Sequence, residues 1–361
     1  MGLKCGIIGI TNSGKTTLFN CMSGAGVQTS VSSFSSTGSN LGMMKVPDRR
    51  LCEIARFQET RKIVPTTVDI VDIPGVSRGS LEGNRFLGDV RNTDALIHVL
   101  RCFDDPNVPH VSDKIDPLTD LETVGLELQV KDMEILEKKI EKLVKPAGTG
   151  DREAKKGLDV LYRYREHFEN LQPARTMKIS EKDKRHVEDL DFLSEKPVLY
   201  VCNVDDRSSA AGNEHSEKVK KKLKEEGAKV LVIAARIEAE ISELESSEER
   251  KEFLDAMGLE EPGVDRLTRA AYSLLNLRTF FTIGPKEIRA WTIRAGMNAH
   301  QAAGVIHSDM ERGFIRAEVI KFADFVNLRS EAACRNKGKI SVEGKSYEVK
   351  DGDILNIRFN V

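Results

Sequence analysis

The stretch Cys5-Gly6-Ile7-Ile8-Gly9-Ile10-Thr11-Asn12-Ser13-Gly14-Lys15-Thr16-Thr17 decides the reading of the chain. Its first half is a short apolar run of the kind that forms a buried strand. Its second half matches G-x-x-x-x-G-K-[ST] at every fixed position, and the helical Leu18-Phe19-Asn20-Cys21-Met22 follows. In such a strand–loop–helix the glycines let backbone N–H groups converge on phosphate oxygens, and the N-terminus of the helix near Lys15 adds partial positive charge. Lys15 is expected to bridge the β- and γ-phosphates and the Thr16 hydroxyl to ligate Mg²⁺, with Asn12, Ser13, Gly14 and Thr17 completing the cradle.

Outward from this loop, β-branched runs return at Thr67 to Asp72, Ala95 to Leu100, Pro197 to Asn203 and Val230 to Ile233. Separated by helix-length stretches, they predict an α/β fold with a parallel sheet and helices on its faces. The run Asp69-Ile70-Val71-Asp72-Ile73-Pro74-Gly75 ends a strand on Asp72, with Gly75 three residues on. In a P-loop hydrolase that Asp holds Mg²⁺ through water and the Gly amide senses the γ-phosphate. Alone, D-x-x-G is an ordinary turn; after a phosphate loop it favours a nucleotide switch over a small-molecule kinase. Val76 follows where many GTPases carry the glutamine that positions water, so water activation must come from elsewhere. Asn203-Val204-Asp205-Asp206 sits where GTPases place Asn-Lys-x-Asp. Asn203 serves either purine through N7, Asp206 accepts from the N1–H and amino group of guanine, and Val204 replaces the Lys. The competing reading of this string is an Asp-rich turn after a strand.

Between the third and fourth runs the texture is helical. Leu126, Val130, Met133, Leu136, Ile140 and Leu143 recur at helical spacing, Gly148 to Asp151 breaks the pattern, and a second amphipathic run and a third opened by Ser180-Glu181-Lys182-Asp183 follow. This predicts an inserted helical hairpin that splits the first domain. Beyond Thr279 we expect a small sheet: strands around a Gly284-Pro285 turn, a helix near Ala299 to Ile306, a strand Phe314 to Ile320, a hairpin across Glu343-Gly344-Lys345 and a last strand Ile354 to Phe359. The 361 residues carry 55 Lys+Arg against 57 Asp+Glu, a balance that excludes a broadly basic nucleic-acid coat protein and a disordered polyanion. No apolar run approaches the roughly 18 residues of a membrane span, and no signal pattern opens the chain, so a cytoplasmic protein without membrane attachment is expected. Six scattered cysteines without a Cys-x-x-Cys pair read as reduced, packed thiols.

Taken together these residues resemble the YchF-type Obg-like ATPases, P-loop proteins of the translation-factor class. The resemblance covers essentially the whole chain. It includes the phosphate loop, Ile63-Val64-Pro65-Thr66-Thr67-Val68, Asp94 to Phe103, Lys196 to Val201, Arg289-Ala290-Trp291-Thr292-Ile293, Gly313 to Val319 and Arg358-Phe359-Asn360-Val361. It implies three modules: an Obg-type P-loop G domain (1–125 plus 195–278), an α-helical coiled-coil insertion (126–194) and a C-terminal TGS domain of ubiquitin-like β-grasp form (279–361). It implies Mg²⁺-dependent ATP hydrolysis with GTP accepted less well, a ribosomal partner (rRNA or ribosomal protein) and K⁺ as a possible activator held by Asn12. We expect a monomer. A histidine on the loop before the helical module is the family's proposed substitute for the missing glutamine, and His110 stands there; on spacing alone it is equally an exposed loop histidine.

Four positions depart from the family. Asp206 replaces its usual Glu, which favours guanine, so GTP preference stays open. Ser33-Phe34-Ser35-Ser36 replaces Pro-Phe-Cys-Thr; Ser36 is the expected Mg²⁺-sensing hydroxyl, with Thr37 as competitor. Pro74 stands where Ala is usual, and Arg236, after Ala235, takes the place of a Lys near the base, where its stem stacks on the purine. The alternative from another class is a ribosome-binding module in which nucleotide is a structural ligand.

Overall fold

The computed structural model describes residues 3–24, 39–58, 62–76, 83–110 and 114–360. In chain order the elements begin β1 (Lys4–Ile8), α1 (Lys15–Ser23), β2 (Asn40–Lys45), α2 (Arg49–Ala55), β3 (Ile63–Val64), β4 (Thr67–Asp72), α3 (Gly83–Arg91) and β5 (Ala95–Cys102). The helical segment follows with α4 (Pro117–Gly148), α5 (Arg152–Glu169) and α6 (Glu181–Lys184). Then come β6 (Val198–Val204), α7 (Glu214–Lys224), β7 (Val230–Ile233), α8 (Ala235–Glu243), α9 (Ser247–Ala256) and α10 (Gly263–Leu274). The last part holds β8 (Leu277–Ile283), β9 (Ile288–Arg294), α11 (Ala299–Ile306), α12 (Ser308–Arg312), β10 (Phe314–Lys321), α13 (Phe322–Leu328), α14 (Glu331–Asn336), β11 (Ile340–Glu343) and β12 (Asp353–Phe359). Among the described residues no helix is long and apolar enough to cross a membrane.

Contacts divide the chain into two compact units, Met1–Gly42 with Asp69–Val264 and Met43–Val68 with Asp265–Val361. The first is built on a sheet of order β2-β4-β1-β5-β6-β7. Its pairings from β4 to β7 are parallel, and β5 is buried along its whole length, as its largely apolar sequence, interrupted by His98 and Arg101, suits a central strand covered on both faces. The chain leaves β1 for β4 on one side and β5 on the other. In an open parallel sheet that switch point, at the carboxyl ends of the strands, is where a ligand cleft forms.

Helix α4 begins at Pro117, ahead of the expected Leu126, because Asp116 caps it by accepting the N–H of Leu118 and Pro117 suits the first helical position. It serves two cores. Val124 and Leu128 pack with Ile8, Ile73 and Leu96 of the sheet, while Leu136 and Ile140 pack with Leu158, Leu161, Tyr164 and Phe168 of α5. Leu126 and Val130, expected in the apolar stripe, are exposed. The break falls where expected, with Asp151 capping α5 through the N–H groups of Glu153 and Ala154. The third helix is cut to the four residues of α6, since Val187, Leu190 and Phe192 turn back into the hairpin core through short 3-10 turns. Fully buried Asp132 on α4 accepts the N–H groups of Leu193 (2.7 Å) and Ser194 (2.8 Å), tying the hairpin to the chain that returns to the sheet; burial raises its pKa to about 6.

The second unit holds a sheet of order β11-β10-β12-β8-β9-β3. Hairpin β8–β9 is antiparallel, and the last strand β12 lies parallel to β8, the arrangement of a β-grasp. Two expectations fail here. No hairpin forms across Glu343-Gly344-Lys345, because β11 pairs antiparallel with β10 and the chain after it runs to α11, where Ala299 N–H donates to Tyr347 O (2.8 Å). Residues 43–68, expected with the first domain, belong to this unit: β3 pairs parallel with β9, and Leu51 and Ile54 of α2 are buried with Phe281, Ile288 and Phe325. All six cysteines are free, and Cys52, contrary to expectation, is exposed.

Candidate functional site

The phosphate loop leaves β1 through backbone that only glycine tolerates. Gly9 has φ +148°, and a Cβ there would lie 2.4 Å from Val99 O; Gly14 has φ +96°, and its Cβ would lie 2.2 Å from Asn203 Nδ2. Asn203, near the end of β6, is buried and bridges two segments: its Nδ2 donates to Ser13 O (2.9 Å) and its Oδ1 accepts from Ala235 N–H (2.9 Å). One side chain therefore locks the phosphate loop to the start of α8, leaving one amide N–H for a ligand. Gly75 faces the loop from the other side, where a Cβ would meet Thr11 N at 2.7 Å and Lys15 Nζ at 2.8 Å.

Lys15 is buried and donates to Ile10 O (2.7 Å); burial lowers its pKa to about 8, against the pull of Asp72. Thr16 Oγ1 donates to Asp72 Oδ2 (2.8 Å). Burial raises the Asp72 pKa, opposed by the Thr16 hydrogen bond and by Lys15. Two buried atoms here, Ser13 Oγ and Asp72 Oδ1, have no hydrogen-bond partner among the described residues. A buried carboxylate oxygen left orphaned beside a threonine hydroxyl suits a divalent cation, which supplies the charge the pocket lacks. Among the described residues no group of three or more His, Cys, Asp or Glu forms a metal site. Val76 is buried in an apolar cluster with Ile8, Ile10 and Phe86, so no polar group stands at the glutamine position. Ser36 lies outside the described residues.

Beside the loop opens a cleft of about 430 Å³. Asn12, Gly14 and Thr17 form its loop-side wall, and Asn203, Val204, Asp206, Ala235 and Arg236 also line it. Asp206 Oδ2 lies 3.6 Å from Arg236 Nε, an exposed pair. Phe103, Asp104, Asp105 and Val108, which sequence reasoning missed, form the facing wall. Their loop is held by Arg101, which is 1% exposed and donates to the carbonyls of Phe103, Asp105, Val108 and Pro109. The signal was available: an arginine ending a buried apolar strand must find acceptors, and the loop that follows supplies them. Asn12, at φ +61°, donates from Nδ2 to the same Pro109 O (3.0 Å). His110 does not line the cleft. Its Nε2 faces Asp120 Oδ2 at 3.3 Å, and both side chains are buried.

Phosphate loop, threonine–aspartate pair and base cleft at the switch point of a parallel sheet define a P-loop protein of the GTPase class. Comparison with known proteins narrows this. The family model described as 50S ribosome-binding GTPase matches residues 4–141, and the YchF-GTPase C-terminal model, described as a protein of unknown function, matches 277–360. The chain is 43% identical to the ribosome-binding ATPase YchF of Bacillus subtilis and 42% identical to that of Escherichia coli O157:H7, in each case over the full length of both chains. The solved structure of the Schizosaccharomyces pombe YchF GTPase superposes with a TM-score of 0.86 at 31% identity, covering 99% of this chain and 98% of that one. The chain belongs to the YchF family.

Proposed function

We propose that the chain is a Mg²⁺-dependent nucleoside triphosphatase that prefers ATP over GTP and acts as a conformational switch on the ribosome. The observation that carries the reading is the Lys15–Thr16–Asp72 constellation, with buried Ser13 Oγ and Asp72 Oδ1 left without partners beside it. Thr16 and, through water, Asp72 would hold Mg²⁺, with Ser36 as the sensing hydroxyl. The bound ion would neutralise charge developing on the β- and γ-phosphates. Lys15 moves its three N–H donors from Ile10 O to the phosphates, and Gly75, against the loop, reports the γ-phosphate through its amide. Names of the relatives, ribosome-binding ATPase, support both substrate and partner. Preference for ATP is also supported by the Asp206–Arg236 pairing, which gives the carboxylate a cation to answer other than the edge of guanine.

In this reading residues 126–194 are a coiled-coil arm and residues 279–361 a TGS domain, both offered to the ribosome, in a cytoplasmic monomer. His110 activates water once its loop turns the imidazole away from Asp120. Asn12 Oδ1 would hold K⁺ as an activator. Competition between ATP and GTP for the Mg²⁺-loaded protein, together with phosphate release, tests the proposal. ATP is expected to displace GTP in the wild type, with little change in Asp206→Glu. A wild type that favours GTP, with the preference lost in Asp206→Glu, would make Asp206 the guanine reader and overturn the assignment. Binding without phosphate release, even with ribosomes present, would reduce the nucleotide to a structural ligand.

A further inference from the structure

At the candidate nucleotide site the orphaned buried atoms are Ser13 Oγ and Asp72 Oδ1. Of the other buried side-chain atoms, His98 Nε2 and Gln129 Oε1 have no hydrogen-bond partner among the described residues. His98 on β5 is 4% exposed and Gln129 on α4 is 8% exposed, and an unmade hydrogen bond at such depth costs free energy that some partner normally recovers. Both side chains line one cavity of about 510 Å³, which shares no lining residue with the nucleotide cleft. Its walls include Ile8 and Val198 of the sheet, Val124 and Leu128 of α4, and the turn at Pro173. The His98 and Tyr200 rings, paired in register on β5 and β6 with centroids 5.7 Å apart, supply an aromatic side.

The charges around this cavity cancel. Arg175 and Lys222 stand against Glu122 and Glu226. Arg175 is already engaged, donating to Tyr200 Oη (2.8 Å) and Ser194 O (3.3 Å) and lying 3.7 Å from Glu226. His98 is neutral, since burial and then the charges of Arg175 and Lys15 push its pKa down to about 3. Nothing here recruits an ion. Gln129 Oε1 can only accept, and a neutral imidazole nitrogen carrying the proton donates, so the complement is one edge with an N–H beside a C=O. The lining mixes apolar and aromatic side chains with polar ones, and in a small-molecule pocket it is the few convergent polar groups that fix a ligand's orientation.

We propose that this cavity binds an uncharged ring-bearing molecule through a carboxamide or lactam edge, its N–H to Gln129 Oε1 and its C=O to His98 Nε2–H, with the ring among Val124, Leu128 and Tyr200. The site is independent of the nucleotide reading.

Benzamide is the probe, titrated calorimetrically into the full chain saturated with Mg²⁺ and a non-hydrolysable ATP analogue, so that the nucleotide cleft is filled. Saturation at one site is expected, with movement of the His98 resonance in ¹³C-histidine-labelled protein, identified by its loss in His98→Phe. Benzoate, with the same ring and a charge, and toluene, with the ring alone, should each bind roughly tenfold or more weakly, the worth of one to two hydrogen bonds. Gln129→Met and His98→Phe should each weaken benzamide by a similar roughly tenfold factor while nucleotide affinity holds. Absence of saturation, equal binding of the three probes, or unchanged benzamide affinity in both variants would overturn the proposal. The three-probe comparison in the wild type decides even if a variant fails to fold.

Discussion

The two ends of the nucleotide cleft are built differently. At the phosphate end the central groups are buried or sterically dictated: Ser13 is fully buried, Lys15 and Asp72 are each 6% exposed, and neither Gly9 nor Gly14 has room for a Cβ. At the base end the deciding side chains stand in solvent, Arg236 with 76% and Asp206 with 38% of the side chain exposed. The first end admits one solution and so reads the same in any phosphate-loop protein. The second can vary at small cost in stability, because an exposed ion pair contributes roughly 0–1 kcal/mol.

The most severe way to break the phosphate end is Gly14→Ala. The added Cβ collides with Asn203 and forces an alanine to φ +96°. Overpacking and left-handed strain together cost about 3–4 kcal/mol of stability in a urea melt, and nucleotide affinity should fall as well, because the loop can relieve the clash only by leaving its cradling shape. Gly24→Ala, at φ +66° but with nothing within 4 Å, isolates the strain component: about 1 kcal/mol of stability in a urea melt and unchanged nucleotide affinity by fluorescent-analogue titration.

His110 belongs to neither end in this structure, and His110→Ala asks whether it joins the phosphate end during turnover. Loss of a general base would slow phosphate release roughly a hundredfold at unchanged affinity. Equal rates would leave His110 as the structural partner of Asp120. The smallest effect is a pH dependence confined to the phosphate end. Lys15, with its pKa lowered to about 8, is charged below that pH and neutral above it in the free protein. Phosphate demands the charged form, so binding takes up a proton above about pH 8, and affinity should fall by at most about tenfold per pH unit there. Calorimetry at pH 9 in buffers of different ionisation enthalpy measures that uptake. A flat profile would mean that the lysine is charged throughout.

The same contrast governs what was legible in the sequence. The phosphate loop could be read because its parts are contiguous: Gly9 to Thr17 supply strand exit, cradle, cation and metal hydroxyl within one turn of chain. Asp72, Gly75, Asn203 and Ala235 come together because each lies at or just beyond the carboxyl end of a strand, and the carboxyl ends of a parallel sheet share one edge. The loop of Phe103 to Val108 was missed because it carries no motif; its place is set by Arg101, whose acceptors are backbone carbonyls invisible in sequence. The hairpin at Glu343-Gly344-Lys345 was misread for the opposite reason. Its turn signal is real, but β11 found β10 rather than the strand after the turn.

Sequence alone determined the nucleotide class, the alternation of strand and helix, the break before Asp151 and the family, since each rests on residues near one another in the chain or on periodicity along it. Tertiary structure alone decided that residues 43–68 join the second unit, that His110 faces Asp120, that Asn203 ties Ser13 to the start of α8, and that His98 and Gln129 line one cavity. Those are pairings between groups far apart in sequence. They are chosen by which apolar faces bury together and which buried polar atoms find partners, and that competition is settled only when the whole chain has packed.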